Sequence, residues 1–314
     1  MTIASRLHGN SPEIIITGGT GFIGTYLTDL LIAKGYGVSH LTRGASRSGK
    51  VRSYNWDPER GIIERGALSG KNIIIHLAGT NLGSGRLTNS RKASIISSRA
   101  DSARLLHSTV TASGLKPDVF ISASGTGYYG SFTSESILTE ESPPGDDFLA
   151  ATCREWEAAA GLFAADGVRT AVIRTAPVLA ADGGGLSPLL RPARYGLIIR
   201  AGSGKQYMPW IHISDLCGIY LKAAGDDNIS GAYNAVSPGF TSHEGFMGTL
   251  AEVTGKPVFL PAVPEIAMRL LLGEMSDIIL KGSRVSSEKI TRAGYIFKYP
   301  ALADALRDIT CRSR

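Results

Sequence analysis

Cysteine is scarce: Cys153, Cys217 and Cys311 are the only three in 314 residues, far apart and odd in number. They cannot build a disulfide framework, and no C-x-x-C pair exists to bind zinc or exchange thiols. A reducing, cytoplasmic setting fits that usage, and no metal site is expected. Charged residues are also sparse at 19%, against 43% hydrophobic. A chain so apolar buries a core and is not disordered. Long apolar runs are missing as well. Arg269, Glu274 and Asp277 break up the most apolar late stretch, which argues against a bilayer-spanning helix. The opening MTIASRLHGNSPE has no apolar centre of the kind a secretory signal carries.

The net charge is +6, compatible with nucleic acid, a membrane surface or an anionic small molecule. No Lys/Arg block is interleaved with aromatics as a nucleic-acid surface requires. The expected partner is therefore a small molecule, with neither nucleic acid nor membrane; oligomeric state is not legible. One local concentration exists, Arg43 to Arg52 (RGASRSGKVR), where Arg43, Arg47, Lys50 and Arg52 occur without an acid. Taken alone it reads as a solvated loop.

Glycine is abundant, 38 residues, and its placement is informative. EIIIT (Glu13–Thr17) reads as a buried strand, followed by Gly18-Gly19-Thr20-Gly21-Phe22-Ile23-Gly24 and an amphipathic helix to Lys34. A G-x-G-x-x-G pattern alone is weak. Between a strand and a helix it is the dinucleotide-binding turn, whose glycines let backbone approach a pyrophosphate at a helix N-terminus. The second strand, GVSHLT (Gly37–Thr42), ends in Thr42-Arg43, where NAD-selective folds carry an acid for the ribose hydroxyls. A carboxylate would repel a 2′-phosphate and a guanidinium would hold it, so the spacing predicts NADP(H).

A polar, hairpin-like excursion is expected around Asp57-Pro58. Further strands are expected at Asn72–Ala78, Val119–Ser124 and Thr170–Arg174, with helices over 88–112 and from Phe148. This alternation predicts an α/β fold, a Rossmann-type doubly wound parallel sheet. Residues 13–176 should form the dinucleotide domain. WIHISDL (Trp210–Leu216) and GAYNAV (Gly231–Val236) are expected to return to the sheet, completing it over about 206–236. The Gly/Pro-rich 177–205 and the helix-rich 237–314 should make a smaller substrate lobe, with helices after Ser242 and over Glu265–Leu272.

TGGTGFIG, HLAG, SASGTGYYG and WIHISDL together resemble the extended short-chain dehydrogenase/reductases. RLTNSRKASIISSR, FLAATCREWEAAA, PVLAADGGGL, GSGKQYMPWIH and the closing GSRVSSEKITRAGYIFKYPALADAL are similar to an atypical branch, NAD-dependent epimerase/dehydratase-like proteins of unknown substrate. The resemblance runs from about Glu13 to Leu306. It implies cofactor contacts from Gly18 to Gly24, from Thr42 and Arg43, from Leu77, Ala78 and Gly79 after HLAG's strand, and from Arg99. It also implies that His212 and Asp215 brace the lobes, with Trp156 and Glu157 seating their helix.

Members of the superfamily use Tyr-x-x-x-Lys on the helix after SASG. In register with Glu157, those positions hold Leu149 and Cys153, which supply neither a proton nor a fixed charge. Ser124 and either Tyr128 or Tyr129 are the remaining candidates for proton transfer, and each tyrosine reads equally well as a packed aromatic. Cys153 reads as a small buried packing residue. Arg191, Arg194, Arg200 and Lys205 suggest an anionic substrate or simply a basic surface. Two functions follow: an NADP(H)-dependent oxidoreductase or epimerase on a small polar compound, with nucleotide-linked sugars among the candidates, or a non-catalytic NADP(H)-binding sensor.

Overall fold

The short isoleucine-rich runs become the centre of one sheet, because each is apolar on both faces and must be covered on both. The computed structural model describes residues 12–44, 51–83, 85–185, 187–195 and 197–311; Arg47 and Lys50 of the basic loop lie outside them. The first half runs β1 (Glu13–Thr17), α1 (Phe22–Ala33), β2 (Gly37–Thr42), β3 (Arg52–Asp57), β4 (Ile62–Ile63), β5 (Ile73–His76), α2 (Asn89–Ala112), β6 (Val119–Gly125), β7 (Ile137–Leu138), α3 (Phe148–Ala165) and β8 (Arg169–Thr175). Next come β9 (Val178–Leu179), α4 (Ser187–Arg194), β10 (Ile198–Ala201), β11 (Ile211–His212), α5 (Ile213–Gly225) and β12 (Gly231–Ala235). The chain then continues through α6 (His243–Thr254), β13 (Val258–Val263), α7 (Glu265–Leu272), α8 (Asp277–Leu280), β14 (Arg284–Val285), α9 (Glu288–Arg292) and α10 (Leu302–Cys311).

Eight strands join in the order β12-β8-β6-β5-β1-β2-β3-β4. All pairs are parallel except β3–β4, which closes the hairpin expected around Asp57-Pro58. The chain starts at β1, moves out through β2, then crosses to β5 on the other side. This reversal is the switch point at which α/β sheets bind ligands. Alternation along β1 divides the core: Ile14 and Ile16 pack with Leu27 and Leu31 of α1 and Leu216 and Tyr220 of α5. Ile15 packs on the opposite face with Ala103 and Leu106 of α2 and Phe163 of α3.

A third core joins Leu179 and Trp210 to Phe246, Met247 and Leu250 of α6 and to Leu302, Ala305 and Leu306 of α10. The expectation for Trp210–Leu216 is corrected here. Only Ile211–His212 is extended, and it pairs with Val178–Leu179 outside the main sheet; the rest begins α5. WIHISDL misled because Ile211, Ile213 and Leu216 are apolar on the strand side and the helix side of the same short stretch. No described helix is long and apolar enough to cross a membrane.

Candidate functional site

The turn between β1 and α1 is closed to side chains. Gly18 has φ +69°, and a Cβ on it would stand 3.1 Å from the backbone of Leu77 and Ala78. A Cβ at Gly19 would fall 2.2 Å from the His40 ring, and one at Gly24 would fall 2.3 Å from the Gly18 carbonyl oxygen. Backbone therefore packs on backbone, while Thr20 and Gly21 at the tip are exposed in front of the open N–H groups of α1. Phe22 and Ile23 are half-buried.

Two buried histidines hold this turn. His40 on β2 pairs with Thr28 of α1 at 2.8 Å, and burial lowers its pKa. Thr17 Oγ1 accepts the backbone N–H groups of Leu77 and Ala78, each at 3.2 Å, and lies 2.8 Å from His76 Nδ1. His76 Nε2 lies 3.1 Å from the Arg99 carbonyl oxygen, so that nitrogen carries the proton and the ring is neutral. Its pKa is lowered to about 4, chiefly by burial. Neither histidine was singled out in the sequence: a lone His in an apolar strand carries no signal until its partner's position is known.

Thr42 is half-buried and Arg43 exposed at the end of β2, beside the glycine turn. Leu77 and Ala78 are half-buried and Gly79 exposed beyond β5. Arg99 reaches the same place from α2 but is 8% exposed. It donates to the carbonyl oxygens of Ile95 and Thr80, both at 3.0 Å, and lies over the Trp156 ring at 5.1 Å.

The candidate catalytic residues separate. Ser124, Arg174 and Asn234 are in register across β6, β8 and β12. Ser124 donates to Glu157 Oε1 at 2.7 Å, and Glu157 also takes two hydrogen bonds from Arg174, at 2.9 and 2.8 Å. Burial alone would lower Arg174, but the carboxylate outweighs it and the guanidinium is held above its ordinary pKa. Ser124 is thereby committed as a donor to Glu157, leaving its lone pairs for a ligand group that donates.

Of the two readings open for Tyr129, its surroundings favour the packed aromatic. It is 2% exposed, its hydroxyl donates to Asn234 Oδ1 at 2.7 Å, and it accepts from Arg174 at 3.1 Å. Burial pushes its pKa to about 12. The phenol so placed braces β6, β8 and β12. Tyr128 is half-buried, with Arg174 Cζ over its ring at 3.4 Å, and its hydroxyl makes no hydrogen bond to another described residue.

Leu149 and Cys153 line the same end of α3: a Cβ on Gly127 would lie 3.2 Å from Leu149. Cys153 donates to the Gly125 carbonyl oxygen at 3.6 Å, and burial raises its pKa to about 11, which fits a packing role. Glu157 does more than seat its helix, since its carboxylate organises Ser124 and Arg174. The legible trace of that was an arginine inside the apolar strand TAVIR.

The smaller lobe meets the glycine turn directly. Phe22 sits where a side chain on Gly183 would lie, 2.7 Å from its Cβ, and Tyr26 donates to Asp182 at 2.7 Å. Of the basic residues expected to face substrate, Arg200 is paired with Glu244. Lys205 is exposed, and the side chains of Arg191 and Arg194 lie outside the description. Arg284 was not anticipated; it lies over the rings of Tyr207 and Phe240 at 4.6 and 5.6 Å and pairs with Glu135. Asp215 accepts the N–H groups of Lys298 (2.6 Å) and Tyr299 (3.0 Å) and the Tyr295 hydroxyl (3.0 Å), while His212 Nε2 lies 3.3 Å from Asp308. Both brace the C-terminal segment.

A parallel sheet with its switch point beside a side-chain-free turn, at the start of a helix, defines a dinucleotide-binding protein of the Rossmann type. The family model of the NAD dependent epimerase/dehydratase family matches residues 14–235, and a domain of unknown function matches 263–309. The chain belongs to that epimerase/dehydratase family. It is 34% identical to the mouse epimerase family protein SDR39U1, over 95% of this chain and 99% of that one. It is also 34% identical to YfhF of Bacillus subtilis (strain 168), over 95% and 97%. The crystal structure of human epimerase family protein SDR39U1 (isoform 2) with NADPH superposes with a TM-score of 0.85 at 32% identity, covering 95% of this chain and 98% of that one.

Proposed function

We propose that this protein is an NADP(H)-dependent oxidoreductase or epimerase acting on a small polar hydroxyl or carbonyl compound, nucleotide-linked sugars included. The observation that carries the cofactor is the cradle of Gly18 to Gly24 opening beside Thr42-Arg43, with no acid at the end of β2. The human relative solved with NADPH supports it. Gly18, Gly19, Thr20, Gly21, Phe22, Ile23 and Gly24 would hold the pyrophosphate, Thr42 and Arg43 the adenosine phosphate, and Leu77, Ala78, Gly79 and Arg99 the remainder.

When bound, NADP(H) supplies or accepts a hydride. The chain's own part is to orient the reacting oxygen and to move its proton. Ser124, polarised by Glu157, accepts a hydrogen bond from a substrate hydroxyl, and Tyr128 is the proton carrier within reach along the chain. Residues 177–205 and 237–314 form the lobe that receives substrate. Free cysteines at 153, 217 and 311 are consistent with the cytoplasm.

The second reading, a non-catalytic NADP(H) sensor, is favoured by Leu149 and Cys153 where the usual proton donor and cation stand, and by the burial of Tyr129. Fluorescence titration with NADPH and NADH tests the cofactor. A charge-assisted pair to the 2′-phosphate is worth about 1.5–3 kcal/mol, so NADPH should bind ten- to hundredfold more tightly, on the order of that energy. Arg43→Glu should abolish the preference; equal affinities in the wild type would sink the reading. Deuteride transfer from labelled NADPH across a panel of sugar nucleotides and carbonyl compounds separates enzyme from sensor.

A further inference from the structure

Between β6 and α3 the chain makes an excursion that is pinched at its neck. Gly130 has φ +87°, and a Cβ on Gly145 would stand 2.6 Å from the Gly130 Cα, so backbone meets backbone there. The Gly145 N–H donates to the Tyr128 carbonyl oxygen at 2.9 Å, and Asp147 accepts the Ser131 N–H at 2.7 Å. The return limb is fixed as well. Glu140 accepts the Asn234 N–H through its carboxylate at 2.7 Å and the Arg174 guanidinium through its carbonyl oxygen at 3.2 Å. Closed ends around a short surface segment make an Ω-loop.

Between these anchors, the fastenings of residues 132–138 go to the smaller lobe. Ser283 donates to the Phe132 carbonyl oxygen at 2.6 Å, and β7 pairs with β14. The Glu135 carboxylate takes the Tyr207 hydroxyl at 2.8 Å and an ion pair from Arg284, whose guanidinium also reaches the Glu135 carbonyl oxygen at 3.3 Å. None of residues 132–138 is buried, and the Glu135 side chain is 76% exposed. An ion pair so exposed is cheap to break. A segment with so little burial opens locally, well before its domain unfolds. Nor does the closed latch satisfy the guanidinium: Arg284 Nε is buried and has no hydrogen-bond partner among the described residues.

Behind the latch lies a pocket. Tyr207 and Arg284, the two residues that hold Glu135, line it together with Met208, Val236, Phe240 and Val285. Val236 directly follows β12, so the pocket sits off the C-terminal end of that strand, the end at which α/β sheets receive ligands. We propose that residues 132–138 are a strap across this pocket, latched by Glu135 on Tyr207 and Arg284, and that breaking the latch opens the pocket while the neck of the loop stays fixed. Because the neck is held at Tyr128, the strap can swing without lifting that ring from Arg174. That the pocket behind it takes the substrate rests on the functional reading above; the latch itself does not.

Methionine oxidation reads the opening in the full chain without any ligand. Met208 lines the pocket, and Met247, 1% exposed in the third core of the same lobe, is the control. Dilute hydrogen peroxide is applied, and each sulfoxide is quantified by peptide mass spectrometry. Glu135→Gln keeps the shape of the side chain and removes its charge, while Tyr207→Phe keeps the ring beside Arg284 and removes the hydroxyl. Each should speed Met208 oxidation about two- to tenfold, with Met247 unchanged. Hydrogen exchange should rise over 132–138 and stay constant over 139–147. Salt at about 1 M should speed Met208 oxidation in the wild type and leave Glu135→Gln unaffected, because it screens the pair. Met208 rates equal to the wild type's in both variants overturn the proposal. So does joint acceleration of Met208 and Met247, which marks a loosened lobe, or exchange rising through 139–147, which marks a neck that gives way. NADPH is absent throughout, so a protein that failed to bind it would lose the cofactor reading and keep the strap.

Discussion

At the scale of single residues, burial decides which of several similar groups can react. Tyr128 and Tyr129 are neighbours in sequence, yet only Tyr129 has its hydroxyl fixed between Asn234 and Arg174. Tyr129→Phe should therefore cost about 1–3 kcal/mol of stability, read by urea denaturation, with NADPH affinity unchanged. Once a substrate is found, Ser124→Ala and Tyr128→Phe should each lower kcat by roughly 10²–10⁴, and Cys153→Ala should keep it within severalfold. Severe loss in Cys153→Ala with mild effects at Ser124 and Tyr128 would reverse the assignment.

Besides His40, two fully buried histidines set a pH dependence. His76 and His243 are fully buried, and burial lowers both from 6.5 to about 4; for His243 the nearby Arg200 adds to the effect. A lowered histidine pKa means the fold favours the neutral ring. That stability is complete above about pH 6.5 and is lost as pH falls toward 4, on the order of 3 kcal/mol per histidine. Neither ring nitrogen of His243 has a hydrogen-bond partner among the described residues. His243→Phe should accordingly keep stability at pH 7 and flatten the decline between pH 6.5 and 4. Urea midpoints across that range check it, and parallel slopes for mutant and wild type would refute it.

At the scale of elements, the glycine turn is shaped by what lies under it as much as by what binds over it. Gly19 must lack a side chain because His40 occupies that space, fixed by Thr28. Gly19→Ala should cost about 1–3 kcal/mol through overpacking and weaken NADPH binding. The same substitution in a His40→Ala background should cost much less. A double-mutant cycle by thermal melting and NADPH titration measures the coupling; additive effects would place the constraint elsewhere.

At the scale of the whole molecule, the C-terminal segment is fastened by one buried carboxylate. Asp215 holds Lys298, Tyr299 and Tyr295, and α10 then completes the third core with α6 and Trp210. Removing it leaves two backbone N–H groups without their acceptor, at about 1–3 kcal/mol each. Asp215→Ala should lower the thermal midpoint and expose 295–311 to proteolysis and hydrogen exchange, while the glycine turn keeps binding 2′,5′-ADP. Unchanged exchange in that segment would show that other contacts hold it.

Much of this was local enough to be written in the chain. The strand limits Glu13–Thr17 and Gly37–Thr42, the helix over Glu265–Leu272 and the glycine turn follow from apolar period and turn chemistry, which act over a few residues. The basic residue after β2 is equally local. The fate of WIHISDL was not, since a short apolar stretch fits a strand or a helix until the sheet accepts or refuses it. Nor was the difference between Tyr128 and Tyr129, which depends on Asn234 lying more than a hundred residues away. Arg99 shows the division most plainly: the sequence puts a charge on a helix, and only the packing of α2 against Gly79 and Trp156 buries it, with no carboxylate in ion-pair distance among the described residues. Desolvation and partner choice are long-range properties, so the tertiary structure alone decided them.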